Sequence, residues 1–538
     1  MRGERRGALL VLAVLILSAV LGGIYGPTVR ATPSSADELK DAVSQFTSVL
    51  AVIQQNYAIP VDTDHALYEG AIPGMLRVLD PHSTFFDPEA YALLREDQRG
   101  EYYGVGMTIA PRENQTVVLA PMVGTPAFRA GLRPGDIILK VDGKATDGLT
   151  TPEVADLLKG PKGTSVTISI RREGSTAPID FTVMRDEIPK HSVDVAFMLR
   201  PGIGYIKLSG FNETTDSEMS DALKDLDAQS LDGLVLDLRG NPGGLLQEAI
   251  AVSDKFLDKN QLIVSDHGRS SPEKRYYAVS GNRGVTCPLI VLINGGSASA
   301  AEIVTGSIQD HDRGLVVGEQ SFGKGLVQSV SELSEDTGLA LTIARYYTPS
   351  GRLIQRDYKD ISLYDYLYNH KTPPPTEVKL TDGGRQVTGG GGITPDVPIA
   401  EPKPNDFQQD LFRHNVFYPY QNPLSVGGFT TSYLGTKPDV TRSFQADDAV
   451  MAQFRKYLDT LGVKYTDADI ATNLDWIRHE IKLEVITSVY GLNDGYKVEL
   501  ENDPQIDKAI DSLPQARALY ENVRKIIAQR SADDPAQQ

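Results

Sequence analysis

The stretch Pro288-Leu-Ile-Val-Leu-Ile-Asn-Gly-Gly-Ser-Ala-Ser-Ala-Ala-Glu302 decides the fold. Pro288 to Ile293 is an unbroken apolar run, the pattern of a strand buried on both faces in a parallel sheet. A glycine-rich turn follows, and Ser299 opens a helix from Ala300 to about Asp310, with Glu302 in capping-box position. The same order of strand, turn and helix occurs upstream. Tyr205 to Leu208 is a strand; Thr215-Asp-Ser-Glu218 reads as a capping box ahead of the stripe Met219, Ala222, Leu223 and Leu226. Leu234 to Leu238 is a second all-apolar strand apart from Asp237, followed by the turn Arg239-Gly-Asn-Pro-Gly-Gly244 and a helix from Leu245 to Phe256. Together these predict a largely parallel α/β sheet.

Ligands bind beyond the carboxyl ends of the strands in such sheets. The turns at Arg239–Gly244 and Asn294–Ser299 lie there, and neighbouring strands would set the first beside Ser299. Ser299 stands where a helix N-terminus offers unpaired N–H groups and the positive end of a dipole, suited to an oxyanion. A third apolar run, Leu315 to Gly318, delivers Ser321-Phe-Gly-Lys324-Gly-Leu-Val-Gln328. Lys324 has only uncharged neighbours, which suits a desolvated amine able to act as a base. Gln328, four positions on, is placed to hold it. A hydroxyl and an amine on neighbouring turns suffice for acyl transfer without histidine. A Ser-His-Asp arrangement through His311 fails on geometry, because twelve residues of helix separate it from Ser299 by about 18 Å.

The chain has 538 residues, too many for one core, so several domains are expected. A net charge of -18 opposes nucleic acid as a partner. The single cysteine, Cys287, permits no internal disulfide and reads as a buried filler. The eight histidines are scattered without metal-ligand spacing, so neither a metal nor another cofactor is expected. Arg2, Arg5 and Arg6 precede an uncharged run over residues 8–24, about 25 Å of helix and the lower limit for a bilayer. Arginines on that side favour export of everything after Tyr25. Either a signal anchor tying the chain to the inner membrane, on the bacterial periplasmic side of the cell envelope, or a cleaved signal peptide fits.

A helical region runs from Asp37 to about Leu94, with Leu39, Val43, Phe46, Val49, Leu50 and Ile53 on one stripe; a second helix, near Ala66 to Leu79, ends at Asp80-Pro-His. From Glu101 to about Asp186 short strands take over. Tyr103-Gly-Val-Gly106 is a glycine loop opening a strand, and Gly131-Leu-Arg-Pro-Gly-Asp136 forces a turn before the strand Ile137–Val141. Thr151 to Leu158 is a helix and Val166 to Arg171 a strand. Beyond Glu401 the chain is helical and acidic.

Residues 101 to 186 resemble a PDZ domain. By that resemblance the backbone amides of Tyr103, Gly104, Val105 and Gly106 capture a polypeptide C-terminus, and the strand from Val105 to Ala110 pairs with its tail. Gly-Ser-Ala-Ser299-Ala-Ala-Glu, Ser321-Phe-Gly-Lys324-Gly-Leu-Val-Gln328, Asp237-Leu-Arg-Gly-Asn-Pro-Gly-Gly and Leu79-Asp-Pro-His-Ser resemble the carboxy-terminal processing proteases, the tail-specific serine peptidases of family S41. The resemblance implies Ser299 as nucleophile, Lys324 as general base and Gln328 as its positioner. The implied oxyanion hole is formed by the N–H of Ala300 and of Gly243, with Gly244 the alternative. It implies an endopeptidase whose substrates are held by their C-terminal tails; a catalytically silent PDZ scaffold is the competing reading. The expected layout is a leader over 1–31, N-terminal helices over 37–98, a PDZ domain over 99–188, a Ser/Lys peptidase core over 189–400 and C-terminal helices over 401–538. Apolar faces on the terminal helices suit a homo-oligomer.

Overall fold

A computed structural model describes residues 36–112, 115–122, 124–172, 175–359, 361–369, 377–417, 427–436 and 438–533. The apolar run at 8–24 therefore lies outside the described residues. Among the described residues no helix is long and apolar enough to cross a membrane.

The centre is a six-stranded sheet in the order Val193–Arg200, Ile203–Leu208, Gly233–Asp237, Leu289–Ile293, Leu315–Gly318 and Val397–Pro398. The first pair is antiparallel and the remaining pairs are parallel. Its all-apolar strands are explained by two cores, one on each face. Leu234, Leu236, Leu289, Val291, Ile293 and Val316 join the core beneath the helices Thr215–Asp225, Leu246–Asp254 and Ala300–Asp310. The alternate residues Val235, Ile290, Leu292, Leu315 and Val317 pack on Ile506, Ala509, Leu513 and Ala516 of the final helix, Pro504–Asp533. Each such side chain removed from water contributes on the order of 2 kcal/mol. Two-sided burial is what selected sequences with no polar alternation.

A second sheet joins Thr84–Phe86, Gly338–Tyr347, Leu262–His267 and Lys274–Tyr277, with Leu326–Glu332 added on Gly338–Tyr347. The expectation of helix throughout Asp37 to Leu94 is thus corrected. A helix at Ala36–Asn56 and short helical turns up to Arg77 give way to the strand Thr84–Phe86, and Pro88–Arg99 is again helix. Three residues are too few to show a period, and strand geometry there comes from pairing with Gly338–Ala340. The apolar stripe of Ala36–Asn56 faces outward: Leu39, Val43, Phe46, Val49 and Ile53 are exposed. The box expected at Thr215–Glu218 is also not formed. Thr214 is the N-cap, and the Glu218 carboxylate instead accepts from the N–H groups of Ser192 and Val193, tying helix to sheet.

Residues 107–184 form a separate β unit, ordered Met107–Arg112, Gln115–Pro121, Ile137–Val141, Ser165–Arg171 and Ile179–Met184, with Lys144–Ala145 paired to Ile137–Val141. It has its own core, including Val118, Ile138, Val154, Val166 and Ile168. The chain enters and leaves it through one antiparallel pair, Glu101–Gly104 with Asp186–Pro189. C-terminal helices from Asp406–Arg413 to Leu474–Tyr490 enclose another core around Phe417, Phe429 and Phe454.

Candidate active site

The strands Gly233–Asp237 and Leu289–Ile293 are parallel neighbours, so their turns lie side by side. Ser297, the first serine of Ser-Ala-Ser, is fully buried; its hydroxyl donates to Leu238 O (2.8 Å) and accepts from Asn294 N–H (3.0 Å). It pins the turn. Ser299 has φ 55° and ψ -113°, not the extended conformation of an ordinary N-cap. A non-glycine residue held there costs roughly 1–3 kcal/mol, and such strain gathers where geometry serves function. Ala298 N–H donates to Asn241 O (2.9 Å), joining the two turns. A Cβ added at Gly243 would lie 2.7 Å from Ser299 Cβ and 2.9 Å from Ala300 N, so only glycine permits this approach.

The Gly243 N–H is already engaged, donating to Asn241 Oδ1 (2.9 Å). Gly243 O accepts from Phe211 N–H (3.2 Å). In a trans peptide the next N–H points opposite to that carbonyl, so the Gly244 N–H is directed away from Phe211.

Lys324 sits between Gly323 and Gly325 at the head of the strand Leu326–Glu332, which carries Gln328. Its Nζ donates to Gln328 Oε1 (2.9 Å), and Gln328 Nε2 donates to His82 O (2.5 Å). That carbonyl settles which end of the amide faces the lysine, since only Nε2 can donate to it. The His82 turn is held in its turn by Asp80, whose carboxylate accepts from His82 N–H (2.8 Å), Ser83 N–H (2.7 Å) and Ser83 Oγ (2.8 Å). Burial pushes the Lys324 amine below the ordinary lysine range, while Glu302 and Asp80 pull it back up. Among the described residues no carboxylate forms an ion pair with it. His82 is lowered to about 4, first by burial and then by the Lys324 charge, so it stays neutral. Its Nε2 lies 2.8 Å from Tyr366 Oη, and Phe322 approaches both rings edge-on.

Glu302 joins the two halves. It is fully buried, and its carboxylate accepts from Ser299 N–H (2.8 Å), Gly323 N–H (2.7 Å), Lys324 N–H (2.8 Å) and Ser321 Oγ (2.5 Å). Burial raises its pKa, against the pull of those donors. Tyr346 Oη bridges the same two residues, 3.0 Å from Ser299 O and within hydrogen-bonding distance of Lys324 O. Sequence reading saw Glu302 only as a helix cap and missed Asp80, His82 and Tyr346. Asp80 and His82 were legible only as part of a quoted motif; Tyr346 carries no local signal. His311, by contrast, closes the far end of the Ala300–Asp310 helix, 2.7 Å from Asp382 Oδ2 and from Leu262 O.

In the β unit, Tyr103 and Gly104 belong to the strand Glu101–Gly104, opposite Glu187 and Asp186. Val105 is buried, and Gly106 takes φ 74°. The Val105 and Gly106 carbonyls accept from Ala127 N–H (2.8 Å) and Met122 N–H (3.0 Å). The strand expected from Val105 therefore starts at Met107, because the left-handed glycine turns the chain first. Met107–Arg112 is an edge strand with the helix Thr151–Leu158 packed against it.

A family model described as peptidase family S41 matches residues 202–362, and one described as a PDZ domain matches 117–172. The carboxy-terminal-processing protease of Bartonella bacilliformis is 39% identical over 370 residues, covering 68% of this chain and 77% of that protein. A carboxyl-terminal-processing protease of Synechocystis is 41% identical over 285 residues, 52% of this chain and 66% of that one. The carboxy-terminal processing protease CtpA of Bacillus subtilis is 33% identical over 349 residues, 65% and 74% respectively.

Proposed function

Because the chain belongs to the carboxy-terminal processing proteases of peptidase family S41, we propose that this serine peptidase with a PDZ domain cleaves polypeptides through a Ser299–Lys324 dyad. The observation that carries the reading is the convergence of the Ser299 and Lys324 backbones on one Glu302 carboxylate, with a desolvated amine beside them. Neutral Lys324 takes the Ser299 proton as Oγ attacks the peptide carbonyl. The N–H of Ala300, at the start of its helix, and the N–H of Gly244 receive the oxyanion; the Asn241 bond to Gly243 favours Gly244 over Gly243. The Lys324 ammonium then protonates the leaving amine. Water, deprotonated by the regenerated base, releases the acyl group from Ser299. Gln328 orients the amine throughout, its Oε1 accepting a hydrogen bond from Lys324 Nζ.

The Met107–Arg112 edge and the Tyr103–Gly106 backbone receive the substrate's C-terminal tail by strand addition. That binding energy is remote from the cut and serves to place it. Residues 8–24 tether the exported enzyme to the inner membrane. The test is cleavage of an unstructured polypeptide together with fluorophosphonate labelling. Both disappear in Ser299→Ala, and cleavage disappears in Lys324→Ala. Proteolysis that survives both substitutions removes the dyad.

A further inference from the structure

The turn carrying Gly243 and Gly244 is anchored on the side away from Ser299 as well. Arg239 stands at its start with only 15% of its side chain exposed. Its Nε lies 3.1 and 3.0 Å from the two Asp237 oxygens, and its Nη2 donates to Asp237 Oδ2 (2.6 Å). This clamps the guanidinium to the end of its own strand. The outward nitrogen goes elsewhere. Nη1 donates to Asp503 Oδ2 (2.7 Å) and to Gln505 Oε1 (2.8 Å), across 264 and 266 residues of chain.

Both acceptors are themselves immobilised. Asp503 Oδ1 accepts from Gln505 N–H (2.8 Å) and Ile506 N–H (3.3 Å), capping the final helix Pro504–Asp533 while its other oxygen holds Arg239. Gln505 is fully buried, and its Nε2 donates to Ile399 O (2.9 Å) just past the last strand of the central sheet. Behind them the helix lies along the outer core, Ile506, Ala509 and Leu513 against Val235, Ile290 and Leu292. From Arg239 the turn runs on through Gly240, whose N–H donates to Asn294 Oδ1 (2.8 Å), the same oxygen that receives Gly296 N–H (3.0 Å) in the serine turn. Hydrogen bonds and the Arg239–Gly240 backbone therefore link the start of the last helix to the turn that leads into Ser299.

We propose that Asp503 and Gln505 are positioning residues for the reaction: through Arg239 they set the place of the Gly243–Gly244 turn relative to Ser299. The C-terminal helix is then part of what preorganises the oxyanion site, not only a cover for the sheet. The inference rests on Ser299 being the nucleophile. A shift of about 1 Å in such a donor is enough to lower a rate about 100-fold, so a partial loosening is read directly in kcat.

The experiment uses the full-length chain. Asp503→Ser keeps a good helix cap but is too short to reach Arg239, and Gln505→Leu removes the second acceptor at similar size. The double variant is expected to lose about tenfold or more in kcat with KM within about twofold. Affinity for a peptide aldehyde, which forms an oxyanion on the serine, falls in step, while affinity for a tail peptide at the PDZ domain is unchanged. Gln505→Glu, which keeps an acceptor, restores kcat. Full kcat and aldehyde affinity in the double variant, with only a lowered Tm, would overturn the proposal. Gln505→Leu alone supplies the same readings if the double variant does not fold. Activity persisting in Ser299→Ala would instead remove the dyad beneath it, a separate result.

Discussion

Where the Ser299 turn meets the Lys324 loop, one buried carboxylate and one tyrosine hydroxyl bind both backbones. Where the β unit at 107–184 meets the rest, two four-residue strands make the covalent join. Beside them lie partly exposed contacts such as the Lys159–Glu96 ion pair (2.7 Å) and the approach of Gly135 to Thr431. The first junction is built on a buried carboxylate and a buried tyrosine and leaves its groups little choice of position. The second leaves its polar partners half in solvent, where alternatives cost little. The proton transfer proposed for Ser299 and Lys324 needs the former arrangement, and the tail binding proposed for the β unit works with the latter.

The contrast breaks most sharply at the dyad. Ser299→Ala and Lys324→Ala should each lower kcat/KM by about 10⁴ or more, measured on an unstructured substrate, since residues acting as a unit fail together. Removing the tie between the turns comes next. Glu302→Ala leaves the N–H groups of Ser299, Gly323 and Lys324 without their acceptor, and urea unfolding should show a loss of about 3 kcal/mol or more. A loss below about 1 kcal/mol would mean that the carboxylate does not hold the site together.

A smaller effect follows from His82. Its folded pKa, about 4, lies below the unfolded value of 6.5. Between those values the unfolded chain binds the extra proton, so this contribution is intact above pH 6.5 and is lost as pH falls toward 4. His82→Phe keeps the backbone carbonyl that holds Gln328 and removes the titration. Its stability should fall less steeply than wild type across that window. Parallel curves would show that the imidazole is not held neutral. The smallest effect belongs to the β unit: Lys159→Ala should cost about 1 kcal/mol or less. Hydrogen exchange should nonetheless quicken in Glu101–Gly104 and Asp186–Pro189 and stay slow around Ser299.

The parallel sheet was legible because two-sided burial leaves an unmistakable record: Leu289 to Ile293 contains no polar residue. That Ser299 opens a helix beyond a strand end, and that Gln328 lies within reach of the Lys324 amine, was legible because strand ends, glycines and spacing are local properties. Thr84–Phe86 was not, because its conformation comes from Gly338–Ala340, far away in sequence. For the same reason Glu218 looked like a cap, while its real partners are Ser192 and Val193. For the oxyanion site the sequence resemblance points first to Gly243, with Gly244 as the alternative. That the Asn241 side chain engages the Gly243 N–H is a matter of rotamer and distance that no local pattern shows. The Arg239–Asp503 contact is the extreme case, since neither residue carries any mark of the other.

The most direct test is the pH dependence of the rate at which a fluorophosphonate acylates Ser299, in wild type and in Lys324→Met. An uncharged lysine acting as base predicts a rate rising with one ionisation below the ordinary lysine value of 10.5, and a slow profile without that step in the variant. A wild-type inflection at the ordinary value, or the same step persisting in Lys324→Met, would contradict it.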